Sequence, residues 1–266
     1  MYCETESEDV YNKVHAQISA ALGLRPALSP QKNLHANSRQ DDSWENPIPE
    51  SATSWIGSDE CGKGDYFGPL VTAAVMVDAE SILLLQELNV RDSKDISDNE
   101  IQSLASHIRV ICDGKFSIVT TMPERYNELM ESELCKGNSL WLLGWQHAKA
   151  IENIVVNHPE VRYALIDKFS NEKFVRNALS DAGKKITLIF RHKAENNIAV
   201  AAASILAREE FLRRLRDLEK IIGTHLPKGA SGIVDAAGRK LVALKGEKAL
   251  RLVAKVHFKT TKKVTR

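Results

Sequence analysis

Cysteine is scarce in this 266-residue chain: Cys3, Cys61, Cys112 and Cys135 lie far apart, with no Cys-x-x-Cys pair and no Cys/His zinc spacing. That argues against a disulfide framework and against structural zinc. No histidine stands near Cys61 in sequence, which disfavours a thiol nucleophile there. Long apolar runs are missing as well; none approaches the roughly 18 residues of a membrane span. The N-terminus, Met1-Tyr2-Cys3-Glu4-Thr5-Glu6, lacks the basic-then-apolar order of a secretion signal. A cytoplasmic protein without a membrane partner is expected.

Acids are nearly absent from the end of the chain. Residues 236–266 hold ten Lys and Arg against a single acid, Glu247, whereas residues 1–60 hold four against ten Asp and Glu. The net charge of +1 hides this gradient. A basic C-terminal segment suits a polyanionic partner, although a solvated face has the same composition.

Residues 8–22 carry Val10, Val14, Ile18 and Leu22 at helical spacing, and residues 25–54 read as a polar linker. The expected division is an acidic extension over 1–53 and a catalytic domain over 54–266. From Ser54 onward strands and helices alternate, which predicts an α/β layered fold. Strands are expected over 70–77, 116–121, 163–166 and 186–190. Helices are expected over 97–110, 138–156, 195–218 and 233–244. In the second, Trp141, Trp145, Ala148, Ile151 and Val155 recur at helical spacing, so both tryptophans are assigned to the core.

The chemistry concentrates in Gly57-Ser58-Asp59-Glu60-Cys61-Gly62-Lys63-Gly64-Asp65-Tyr66-Phe67-Gly68-Pro69-Leu70. Adjacent carboxylates repel, more so where water is scarce, and a hard divalent cation between them relieves the repulsion. Glycines after the pair let backbone approach a ligand closely. Two solvated acids in an ordinary turn have the same sequence, so the motif alone leaves both readings open.

This motif resembles the signature of the type 2 ribonucleases H, and its Gly-Lys-Gly is similar to that of ribonuclease HIII, where ribonuclease HII usually has Gly-Arg-Gly. The likeness continues through Arg91-Asp92-Ser93-Lys94, Tyr126-Asn127-Glu128-Leu129, Leu142 to Ala148, Ile166-Asp167-Lys168-Phe169, His192-Lys193-Ala194-Glu195, Val200 to Arg208, Leu226 to Ser231 and Ala254 to Phe258. It runs in order from about Trp55 to about Val264. Ribonuclease HIII proteins generally carry an N-terminal domain resembling TATA-binding protein; most of it is expected to be lacking here, since only 54 residues precede Trp55.

The resemblance implies a ribonuclease H-like fold, a central mixed sheet flanked by helices with a helical C-terminal part. It implies endonucleolytic hydrolysis of the RNA strand of RNA/DNA hybrids, leaving 5′-phosphate and 3′-hydroxyl ends. Asp59, Glu60, Asp167 and Glu195 would hold two Mg²⁺ or Mn²⁺ ions. Asp167 alone reads equally as a strand-ending turn acid, and Glu195 as an acid favoured by the helix dipole. The backbone of Gly62, Lys63 and Gly64 would read the 2′-hydroxyls, the feature that separates RNA from DNA, while the Lys63 side chain would help with a phosphate. Lys94, Lys193 and Arg208 are candidate phosphate contacts; Ser93 and Ser204 could donate to phosphate or cap local backbone. A monomer without an obligate protein partner is expected. Two alternatives stay open: ribonuclease HII-like cleavage at ribonucleotides embedded in DNA, and a non-catalytic nucleic-acid-binding protein.

Overall fold

The computed structural model of the chain describes residues 45–181 and 183–266. The helix expected over 8–22 and most of the linker expected over 25–54 lie outside the described residues. The strands are β1 (Ser54–Cys61), β2 (Leu70–Asp78), β3 (Phe116–Thr121), β4 (Tyr163–Asp167) and β5 (Thr187–Arg191). They form one mixed sheet in the order β3-β2-β1-β4-β5. β2 pairs antiparallel with β1 and β3, while β4 runs parallel to β1 and β5. The ends of β1, β4 and β5 therefore share one edge of the sheet.

The helices are α1 (Ala79–Glu87), α2 (Asp98–Ile111), α3 (Pro123–Glu131), α4 (Ser139–Val155), α5 (Lys173–Arg176), α6 (Ile198–Ile222), α7 (Gly232–Lys245), α8 (Lys248–Val253) and α9 (Lys259–Val264). α6 covers one face of the sheet together with α1 and α2, and α4 covers the other. β2 is thus buried from Leu70 to Val77, which explains its unbroken apolar sequence. The alanines of α6 let its backbone lie close on β1. A Cβ on Gly57 would collide with the backbone of Ala199 and Val200. Ile48, just before β1, is buried with Leu165, Ala194 and Val200. No helix among the described residues is long and apolar enough to cross a membrane.

Two expectations are corrected. Trp141 and Trp145 are not core residues: they stand on the outer face of α4, 38% and 47% exposed. The inner face is instead Leu142, Leu143, Gln146, His147, Ala150 and Ile151. Apolar residues occur on both sides of this helix, so spacing alone does not choose between them. The long helix starts at Ile198, with Asn197 as its cap, so Glu195 sits in the preceding 3₁₀ turn Ala194–Asn196 and not in a helical first turn. The basic C-terminal stretch is folded, with Val234, Leu241, Leu250, Val253 and Val264 joining the core under α6.

Candidate active site

Alternation along β1 divides its side chains between the two faces. Ile56 and Ser58 face α4, and Glu60 reaches His147 on that helix; Gly57 lies under α6. Asp59, on the α6 side, comes out at the shared edge. Ser58 is in register with Ile166, so Asp59 is level with Asp167 at the end of β4. Asp167 Oδ1 accepts a hydrogen bond from the Ala194 backbone at 3.2 Å. Lys193, at φ 58°, makes the left-handed turn that delivers that N–H. Glu195 follows at once. Four carboxylates from β1, β4 and the turn before α6 thereby meet at one sheet edge.

Their electrostatics diverge. Burial, then the charges of Glu60 and Asp167, push the Asp59 carboxyl well above the usual range, despite a 2.8 Å hydrogen bond from Glu60 N. Burial also raises Asp167, against the Ala194 N–H, and Glu195 and Glu60 add to the rise. Glu60 goes the other way: burial pushes it up, but His147 and then Lys63 outweigh that and hold it low.

His147 is fully buried on α4 and was not visible as a site residue in the sequence. Ser58 gives its hydroxyl proton to Ala73 O at 2.9 Å, so its oxygen accepts from His147 Nδ1 at 2.8 Å. The other ring nitrogen, Nε2, lies 3.2 Å from Glu60 Oε2. His147 also stacks on Phe169, with ring centroids 4.9 Å apart, and so orients both the carboxylate and the loop after β4. The signal available in the sequence was Gln146-His147 on a helix paired with a Ser-x-Glu strand end, too general to stand out.

The Gly-Lys-Gly turn is braced from three sides. Gly62, at φ +90°, has Pro69 O and the Phe211 ring where a Cβ would go. The Asp65 carboxylate accepts from Gly229 N at 2.5 Å. Lys255 is completely buried and donates to the carbonyls of Asp65 (2.8 Å) and Gly68 (2.7 Å), while its own backbone N–H donates to Tyr66 O. Burial pushes this ammonium down to about 7. Lys63 extends outward, 3.4 Å from Glu60 Oε1 and from Phe169 O. Gly64 has open space where a side chain would be.

Asp59, Glu60, Ser93, Lys94, Asp167 and Arg208 line a common cleft of about 350 Å³. Lys94 is exposed and stands 3.6 Å from Glu195 and 3.7 Å from Asp92. Ser93 and Ser204 hold each other, Ser93 N donating to Ser204 Oγ, which donates to Ala201 O. Arg208 donates to the Ser93 carbonyl and to Asp98 Oδ1. Those three therefore brace the Asp92–Asp95 turn against α6, matching the backbone alternative for the serines. Lys193 contributes its turn rather than a place in the cleft lining.

An all-oxygen donor set with a partly buried, raised carboxyl among its members fits a hard divalent cation. Among the described residues no three Asp, Glu, His or Cys side chains already form a complete metal-binding group. Glu60 is paired with His147 and Lys63, and Glu195 with Lys94. These lysines put positive charge where the carboxylates most need it.

A family profile described as Ribonuclease HII matches residues 56–261. The chain is 42% identical to ribonuclease HIII of Protochlamydia amoebophila (strain UWE25) over 208 residues, 78% of this chain and 67% of that protein. It is 41% identical to ribonuclease HIII of Chlamydia trachomatis serovar D over 219 residues, 82% of this chain and 71% of that protein. Among solved structures it is similar to Bst-RNase HIII in complex with Mn²⁺, with 34% identity and a TM-score of 0.72 over 80% of this chain and 69% of that one. The ribonuclease H2 of Pyrococcus horikoshii OT3, at 20% identity, shares the fold with a TM-score of 0.64, over 80% of this chain and 97% of that one.

Proposed function

The chain belongs to the ribonuclease HII family and is similar to ribonucleases HIII, and we propose that Asp59, Glu60, Asp167 and Glu195 are the carboxylates of its active site. The activity is endonucleolytic hydrolysis of the RNA strand in RNA/DNA hybrids. The observation that carries the assignment is that Asp59, Glu60 and Asp167 line one cleft at the ends of β1 and β4, with the charge of Glu195 acting on Asp167 from the turn before α6.

Mg²⁺ or Mn²⁺ is the cofactor, and Asp59, Glu60, Asp167 and Glu195 would hold it. When bound, two such ions supply the positive charge that activates a water and steadies the departing 3′ oxygen. The protein's own residues do the rest. His147 fixes Glu60, and the Ala194 N–H fixes Asp167, so both carboxylates keep their aim. Lys63 and Lys94 carry exposed charge at the rim and approach the phosphates, at the cost of leaving Glu60 and Glu195. The backbone of Gly62 to Gly64 reads the 2′-hydroxyls, with no side chain at Gly64 to obstruct it. Contacts of that kind carry no base sequence, so cleavage is sequence-tolerant. Ser93, Ser204 and Arg208 keep the Lys94 turn in place.

The reading takes residues 54–266 as the catalytic domain, a cytoplasmic monomer acting without an obligate protein partner. Light scattering behind size exclusion checks the monomer. Cleavage is tested on an end-labelled RNA/DNA hybrid with Mg²⁺ or Mn²⁺, beside an all-DNA duplex and a duplex carrying one ribonucleotide. Cuts confined to the RNA strand of the hybrid, poor cutting at the single ribonucleotide and loss of activity in Asp59→Asn are expected. Near-normal turnover by Asp59→Asn overturns the assignment of the carboxylates.

A further inference from the structure

The outer face of α4 presents Trp141, Trp145 and Lys149 at i, i+4 and i+8, all three exposed. Two partly exposed tryptophans one helical turn apart leave a large apolar, π-rich surface in water, an arrangement a soluble domain does not need for its own packing. α5 packs beside them: Phe174 meets Trp141 edge-on, ring centroids 5.2 Å apart, and the Lys173 ammonium lies 5.4 Å from the Phe174 ring. Lys173 and Lys168 are exposed on the same segment. Aromatic faces interleaved with ammonium groups are the chemistry that holds unpaired nucleotides, bases stacking on the rings and phosphates meeting the cations.

The position joins this surface to the active site. His147, which touches Glu60, lies six residues from Trp141, on the order of 9 Å along the helix axis. The loop after Asp167 links the two sides: Phe169 stacks on His147 and lies 5.2 Å under the Lys63 ammonium, and five residues later Phe174 reaches Trp141. A paired duplex hides its bases from such rings, whereas a strand running past the end of the hybrid exposes them.

We propose that Trp141 and Trp145, with Lys149, Lys168 and Lys173, form a stacking surface for a single-stranded nucleic-acid flank of the hybrid. The proposal rests on the hybrid being the substrate. Its effect is to favour hybrids bordered by unpaired strand over blunt ones.

The test compares a blunt hybrid with the same hybrid carrying a twelve-nucleotide single-stranded extension, made as DNA or as RNA and at either end. Binding is followed by tryptophan fluorescence and by KM. The wild type is expected to bind one of the extended hybrids roughly tenfold more tightly than the blunt one, with quenching of tryptophan emission. In the double variant Trp141→Ala/Trp145→Ala that ratio falls to about one, and in Trp141→Phe/Trp145→Phe most of it returns. Equal binding of blunt and extended hybrids by the wild type, or a ratio that survives the double alanine variant, overturns the proposal. Failure to cleave even the blunt hybrid would instead strike at the ribonuclease reading. The DNA and RNA arms identify which strand the surface takes.

Discussion

Replacing Lys255 by Met tests whether a buried ammonium braces the Gly-Lys-Gly turn. In the unfolded chain this lysine keeps its proton to about 10.5, and in the folded protein burial lowers that to about 7. Between the two values the unfolded chain binds more protons, so the Lys255 contribution to stability rises with pH. From pH 7 to pH 9 the gain is about 2 kcal/mol. Cys61 and Cys112, whose thiols burial pushes up to about 12, pull the opposite way once the pH passes the ordinary thiol value of 9.0. The difference between wild type and Lys255→Met cancels that part, because both proteins keep the cysteines. Urea denaturation at several pH values should therefore show the wild-type midpoint gaining on the variant by on the order of 1 M between pH 7 and pH 9. The variant also leaves the carbonyls of Asp65 and Gly68 without their donor, about 1–3 kcal/mol for each buried group. Two midpoints that move in parallel with pH would refute the claim that Lys255 is a buried, poorly solvated ammonium.

Asp59→Asn should bind hybrid without cutting it. In metal-free buffer the variant should melt at a higher temperature than the wild type near pH 7, because a carboxyl raised by folding weakens the fold above its unfolded value and the amide removes that cost. Added Mn²⁺ should raise the melting temperature of the wild type and not of the variant. His147→Leu strips Glu60 and Ser58 of a buried hydrogen-bonding partner, so a loss of about 1–3 kcal/mol in denaturation is expected, with kcat falling more than KM changes. Gly64→Ala meets nothing within reach, so its melting curve should match the wild type while KM for hybrid rises. Gly57→Ala, by contrast, should fail to fold stably, since its methyl enters the backbone of α6.

Four of the five strands were legible because they differ from their surroundings: Leu70–Asp78 follows Pro69 and is apolar throughout because helices cover both its faces. The central strand Ser54–Cys61 was not, because Gly57-Ser58-Asp59-Glu60 interrupts its apolar residues and reads as a turn. The acids were legible through a resemblance extending over most of the chain, since Asp167 and Glu195 alone had innocent explanations. His147 was not legible, because its partner Glu60 is 87 residues away and only the packing of α4 on β1 unites them. The tryptophans were misassigned because α4 is apolar on two faces, and burial is decided by what packs there. The helix over Ala79–Glu87 was passed over although Asp78 and Ser81 form a reciprocal cap, a short-range signal easily lost beside a strong strand.

The bridge between Phe67 and Ala254 has a consequence for the life of the chain on the ribosome. The Gly-Lys-Gly turn is made before its braces, Gly229 and Lys255, which lie 164 and 190 residues beyond Asp65. Contacts spanning about 190 residues close late and close slowly. Until residue 255 has emerged, the four carboxylates stand beside an unbraced turn. The Gly-Lys-Gly turn is therefore completed only when a long stretch of the chain beyond it is available to fold.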